Sequence, residues 1–232
     1  MSDIVYVTRD GQNPELRYSL RTLKNVPHDK VWVFGGEPSW LNTDKVNLVN
    51  RSQAGSAYQS TRSHIAAACN TPEVSDPFIL WNDDFFAMQE IEDVELLHRG
   101  SLDDLVARMP KAKTAWWKGL QETTRIINTW HRPEYVTWKS YDIHTPLVVY
   151  KSGMREALYF AKKVRTDAIH LRSLYGNLQF EGAGTLYTDP KMMRRSDPFP
   201  RGPWLSPGGD TFRSTVEPVL RYLFPHPSDY EQ

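Results

Sequence analysis

A chain of 232 residues is long enough for one large domain with a substantial buried core. Its 28 basic residues balance its 28 acidic ones, which excludes a global field drawing it to nucleic acid or to an anionic membrane. The single Cys69 excludes an intramolecular disulfide and a cysteine-built zinc site. No apolar run approaches the roughly 20 residues of a transmembrane helix, and Met1-Ser2-Asp3 leads into apolar Ile4–Val7 with no basic n-region. A soluble, cytoplasmic protein without membrane insertion is expected.

The first ninety residues alternate between strand and helix patterns. Ile4–Val7 reads as a strand that ends on the polar turn Thr8-Arg9-Asp10-Gly11. Pro14-Glu15 opens a helix with Leu16, Leu20 and Leu23 at helical spacing. Val31–Phe34 is the next strand, stopped by Gly35-Gly36; Pro38–Leu41 is a connector and Val46–Val49 a third strand. Tyr58–Cys69 reads as a helix and Phe78–Trp81 as a fourth strand. Strands separated by helices predict an α/β fold, a mostly parallel sheet flanked by helices. Beyond residue 95 the pattern changes. Leu96–Met109 and Met154–Val164 read as helices, and Thr114–Tyr141 is rich in Trp and Arg. Residues 182–210 carry many Gly and Pro and read as a long ordered loop or lid. Thr215–Leu223 is a last short helix. One domain is expected over 1–232, with an α/β core at 1–94 and helices, loops and a C-terminal cap at 95–232.

The fourth strand carries the strongest chemical signal. Phe78-Ile79-Leu80-Trp81 stops abruptly on Asn82-Asp83-Asp84. Ligands of open α/β sheets sit at the carboxyl ends of strands, and two carboxylates there suit a divalent cation held against phosphate oxygens; Asn and Asp also favour plain turns. At the end of the first strand, Thr8, Arg9 and Asp10 precede a helix N-terminus that offers free N–H groups to an anion. Arg9 and Arg17, with Ser19 on the same helix, offer hydrogen bonds to a diphosphate, or the arginines form surface ion pairs. His144, in His144-Thr145-Pro146, is a general base or a structural histidine. Arg172, Ser173 and Asn177 form a further polar group, and Asp210 in Gly208-Gly209-Asp210 brings a third carboxylate or a turn. The sequence has no Walker loop, G-x-G-x-x-G, G-x-S-x-G or H-E-x-x-H, which removes the usual support for P-loop, dinucleotide, serine-hydrolase and zincin chemistry.

Taken together and in order, these segments resemble the Stealth proteins, sugar-phosphate transferases of bacterial capsule synthesis whose animal relatives include an N-acetylglucosamine-1-phosphotransferase. Asp3–Gly11 is similar to the first block of that family. Glu15–Arg21, Pro38–Asn42 and Asn82–Phe86 are similar to the second block, and His144-Thr145-Pro146 with Leu171-Arg172-Ser173 to the third. Phe224-Pro225, Ser228 and Tyr230-Glu231 are similar to the end of the fourth. The chain departs from the pattern where it fuses the first two blocks, where Arg9 stands in the first, where Gln59-Ser60 lacks a downstream Glu, and where Gly208-Gly209-Asp210 replaces an Asn-Asp. The resemblance implies a GT-A-like fold, Mg²⁺ or Mn²⁺, and a nucleotide-sugar donor such as a UDP-hexose. It also implies a glycan or protein hydroxyl as acceptor; the balanced charge and lack of a basic stripe count against a nucleic acid partner. By position it implies metal ligands at Asp83 and Asp84, with Asp210 near a further acidic motif, and catalytic roles for His144, Arg172 and Asp84; Thr8, Arg9, Asp10, Arg17 and Ser19 remain the donor contacts offered by the strand end and the helix after it. The departures fall around the donor phosphates and leave open whether sugar or sugar-1-phosphate is transferred. Two alternatives stand beside this reading. One is a metal-dependent phosphoesterase or nuclease. The other is a non-catalytic carbohydrate-binding protein using Trp116, Trp117, Trp130 and Trp138 as stacking platforms.

Overall fold

Every residue of the first strand, β1 (Ile4–Val7), is buried, and the chain builds outward from it. The computed structural model describes residues 1–108, 113–130, 136–164 and 166–232. After β1 come α1 (Pro14–Thr22), a 3₁₀ turn (Leu23–Asn25), β2 (Val31–Gly35), β3 (Asn47–Asn50), α2 (Ala57–Asn70), β4 (Phe78–Asn82) and the two-residue strands β5 (Phe86–Ala87) and β6 (Leu97–His98). The second half contributes α3 (Leu102–Arg108), α4 (Ala115–Ile127), β7 (Leu147–Val149), α5 (Lys151–Lys162), α6 (Leu171–Phe180), β8 (Thr185–Leu186), β9 (Lys191–Met192) and β10 (Trp204–Pro207). A π-helical turn (Phe212–Val216) then leads into α7 (Glu217–Leu223).

The main sheet has the order β3-β2-β1-β4-β7. Its first four strands run parallel, and β7 closes the edge antiparallel to β4. The α/β class with a mainly parallel sheet flanked by helices is therefore the fold of this chain. Side-chain alternation divides the core between the two faces of the sheet. Ile4, Tyr6, Val31, Val33, Ile79 and Trp81 pack with Leu16, Leu20 and Leu23 of the α1 side. Val5, Val7, Trp32, Phe34, Phe78 and Leu80 face Ile65 and Ala68 of α2 and Met154, Ala157 and Leu174 of α5 and α6. A third cluster joins Tyr18 on α1 to Phe86, Leu205, Phe212, Leu220 and Phe224.

Three readings of the second half need correction. The helix expected over Leu96–Met109 is a strand at Leu97–His98 followed by a helix at Leu102–Arg108, with Met109 outside the described residues. The positive φ of Gly100 breaks the helical course between them. Residues 182–210 are ordered but are not one long loop: they carry β8, β9 and β10, with β8 pairing with β6 and β10 with both β5 and β9. Trp130 and Trp138 are not an open platform. Trp138 is buried, the two rings pack edge to face, and Trp130 also meets Phe160. Trp116 packs at a tilt against His170, with ring centroids 4.8 Å apart. Among the described residues no helix is long and apolar enough to cross a membrane.

Candidate active site

The strand order reverses at β1, with β2 and β3 to one side and β4 and β7 to the other. At such a switch point the loops leaving two neighbouring strands diverge and open a crevice at their carboxyl ends. Here the ends of β1 (Val7, Thr8, Arg9) and β4 (Asn82, Asp83, Asp84) line a cleft of about 380 Å³. The first turn of α2 forms another wall, through Ala57, Ser60 and Thr61, and brings the positive end of its dipole. Gly35 packs against Thr8 at the edge of this region: its φ is +151°, and a Cβ there would lie 2.2 Å from Thr8 Oγ1, so only glycine admits this approach of β2 to β1.

Asp83 and Asp84 both face the cleft and have different partners. Asp83 Oδ2 accepts a 2.7 Å hydrogen bond from Nδ2 of Asn13, and Arg9 Nε stands 4.0 Å away. Asn13 also caps α1, its Oδ1 accepting from the Leu16 amide at 3.3 Å, in a left-handed conformation that Asn tolerates. Burial and the adjacent Asp84 carboxylate push Asp83 up to about 7, against the Asn13 hydrogen bond and the Arg9 charge. Asp84 Oδ2 accepts from Ser206 Oγ at 3.1 Å and lies 3.7 Å from Lys191 Nζ.

Lys191 connects this cleft to a second cluster. Its Nζ is 3.0 Å from Nε2 of His144, whose Nδ1 faces both Asp189 carboxylate oxygens at 3.0 and 3.1 Å. An ammonium has donors only, so Nε2 accepts and Nδ1–H donates to Asp189, which fixes one tautomer of the neutral ring. Arg99 also reaches Asp189, at 3.3 Å. Burial works to raise Asp189, but His144 and Arg99 outweigh it and hold the carboxyl below its ordinary range. Arg172 donates to the Thr145 carbonyl and lies over the Phe85 ring. Burial draws its guanidinium down to about 10, opposed by Asp142, Asp189 and Asp84. Burial likewise works to raise Asp142, and His170, His144, the Trp116 indole N–H and Arg172 bring it below its ordinary value.

The sequence candidates therefore separate by place. Thr8, Arg9, Asp83 and Asp84 share the cleft, with Arg9 also bound to Glu15 at 2.5 Å. His144 and Arg172 come together beside it, joined to Asp84 through Lys191. Asp10 points away, accepting from the Gln53 amide at 3.2 Å and so anchoring the loop whose Gln53 lines the cleft. Arg17 turns to Glu231 and lies over the Trp40 ring. Ser19 is fully buried beneath the site, bonded to Tyr6 Oη at 2.9 Å and to the Phe85 carbonyl. Asp210 is exposed; its neighbour Gly209 lines the cleft but Asp210 does not. Among the described residues no cluster of three or more His, Cys, Asp or Glu stands ready as a metal site. A cation here would take Asp83 and Asp84 as its hard oxygen ligands and complete its shell with water and ligand phosphates, a pattern suited to Mg²⁺. The two carboxylates fit that role by geometry and donor chemistry, being adjacent hard oxygen donors that both line the cleft.

No family model and no curated protein matches the sequence. Solved structures with partial likeness include the galactosyltransferase LgtC in complex with donor and acceptor sugar analogs, with TM-score 0.43 and 10% identity over 78% of this chain and 71% of that one. The glycosyltransferase GlyE of Streptococcus pneumoniae TIGR4 gives 0.39 and 8% over 98% of this chain and 52% of that one. Mouse xyloside xylosyltransferase 1 gives 0.39 and 9% over 99% and 96%. Similarity this low assigns no role to any residue.

Sequence reasoning missed Asn13, Asp189, Lys191 and Ser206. Asn13 was legible as a cap, one residue before Pro14. The other three sit in segments without period, and the pairing of β9 and β10 carries them to the cleft and to the His144 cluster beside it.

Proposed function

We propose that this protein is a metal-dependent, GT-A-like transferase that moves a sugar or a sugar-1-phosphate from a nucleotide-sugar donor to an acceptor hydroxyl. The observation that carries the reading is the pair of adjacent carboxylates, Asp83 and Asp84, at the mouth of β4 in the switch-point cleft. Mg²⁺ or Mn²⁺ bound there would neutralise the donor diphosphate and the charge on the leaving group. Arg9 and the first turn of α2 would position the phosphates from opposite walls. Lys191, drawn to a bound phosphate, would leave His144 Nε2 free to take the acceptor proton. The acceptor oxygen then bonds to phosphorus as the bond to the nucleoside monophosphate breaks, or to the anomeric carbon as the nucleoside diphosphate leaves. Asp189 is the positioning residue that keeps Nδ1 protonated and Nε2 available. Arg172 would offset negative charge at the transferred group.

The test is a thermal-shift screen of UDP-, GDP-, ADP- and TDP-sugars with and without Mg²⁺ or Mn²⁺, because a ligand of the folded state raises Tm. One nucleotide should give a metal-dependent rise that Asp83→Asn and Asp84→Asn abolish. Release of nucleoside mono- or diphosphate then distinguishes the two transfers. No metal-dependent response to any donor would sink the reading.

A further inference from the structure

The described chain forms a second cavity, of about 690 Å³, from the segment 186–202. Its wall is mainly apolar and aromatic, with Leu186, Tyr187, Met192, Phe199 and two flanking prolines, Pro198 and Pro200. Leu186 and Phe199 are 68% and 41% exposed, large apolar groups held in water beside a groove. The charged residues lining it are Asp189, Lys191, Asp197 and Arg201. Asp189 is held by His144 and Arg99, and Asp197 accepts from the amides of Met193 and Arg194. Among the described residues Arg201 makes no ion pair. Lys191 lines both this groove and the carboxylate cleft. The two cavities thus share Lys191, whose ammonium sits 3.0 Å from His144 Nε2.

We propose that this groove is the acceptor site and that it takes a pyranose. The inference rests on the transferase reading for the word acceptor, but the binding of a saccharide stands or falls by itself. A pyranose has an apolar C–H face and a rim of hydroxyls. Rings such as Tyr187 and Phe199 match the face, and the uncommitted donors of Arg201 match the rim. A hydroxyl at the end of the groove lined by Lys191 would lie beside the residue whose Nζ stands 3.0 Å from His144 Nε2. An apolar aglycone or lipid would use the same rings and ignore Arg201.

Saturation-transfer-difference NMR reads such weak contacts directly. The probes are methyl α- and β-pyranosides of glucose, galactose, mannose and N-acetylglucosamine, together with octyl β-glucoside. At least one methyl pyranoside should show transfer to its ring protons. Phe199→Ser and Arg201→Ala should each remove most of that signal. Both residues lie at the surface, so the fold should survive their loss, with unchanged circular dichroism as the check. Asp83→Asn should leave it intact, since Asp83 lines only the carboxylate cleft. Transfer confined to the octyl chain would assign the groove to lipid and overturn the proposal. Signals that survive both groove variants, or no signal from any methyl pyranoside, would overturn it as well. Sugar binding here without any metal-dependent nucleotide binding would keep the saccharide site and reject the transferase.

Discussion

Asn13 shows how one side chain can serve the fold and the site together. Its Oδ1 caps α1 and its Nδ2 holds Asp83, so the two duties can be separated by substitution. Asn13→Ala removes both and should lower stability by about 1 kcal/mol, the usual cost of losing a cap. In a chain of this length that is a fall in Tm of roughly 2–4 °C. Asn13→Ser keeps a capping oxygen but has no second donor for Asp83. It should melt near the wild type while changing the affinity for Mg²⁺ or Mn²⁺, as read by calorimetric titration. Equal metal affinity in wild type and Asn13→Ser would show that the 2.7 Å contact does not position the carboxylate.

At the scale of elements, the C-terminal tail is fastened to α1 by one carboxylate. The Glu231 side chain is 1% exposed and pairs with Arg17 and Arg21, while Ser228 donates its amide to the same group. Tyr230 and Gln232 extend the clasp to the backbone of residues 40–42. Burial would raise Glu231, but Arg21, Arg17 and the Ser228 amide bring it down to about 2. A carboxyl with a depressed folded-state value stabilises the fold once pH exceeds its unfolded value, near 4.5, and loses that contribution as pH falls towards 2. The shift corresponds to on the order of 3 kcal/mol, brought nearer ~2 by the solvent around Arg17. Glu231→Gln should therefore lower Tm by roughly 4–8 °C at neutral pH. The gap should close between about pH 5 and pH 2, a profile that thermal melts across pH would check. This clasp also shows which parts of the structure were legible in the sequence. β1, α1 and the end of β4 declare themselves because a period and a stop signal are local properties, and so the Asp83-Asp84 mouth could be placed from residues alone. Arg17 read as a phosphate ligand because its partner lies more than 200 residues away. The same long-range pairing hid Asp189 and Lys191, whose two-residue strand β9 has no pattern apart from β10.

At the scale of the whole molecule, the boundary at residue 94 marks a change of sequence texture, and the packing runs across it. β7 forms the edge of the sheet beside β4 and comes from the second half. The face bearing Val5, Phe34, Phe78 and Leu80 is covered by α2 from the first half and by α5 and α6 from the second. Removing 95–232 would expose Phe78 and Leu80, both essentially buried, at ~1.5–3 kcal/mol for each large apolar side chain returned to water. A few such residues equal the whole margin of about 5–15 kcal/mol by which a domain folds. The fragment 1–94 also loses Phe224 and Leu220, which seal Tyr18 on the other side of α1. Its shortfall thus falls on both faces of the sheet at once. The expected outcome is that fragment 1–94 alone gives a collapsed amide spectrum in proton–nitrogen NMR. The full chain should instead unfold in one transition, with circular dichroism and tryptophan fluorescence melting at the same temperature. Dispersed resonances from the fragment, or two separated transitions in the full chain, would make 1–94 a domain in its own right. The groups of the candidate site would then be divided between two folding units, Asp83 and Asp84 on one, His144 and Lys191 on the other. A single transition leaves them in one cooperative unit, as the proposed transfer requires.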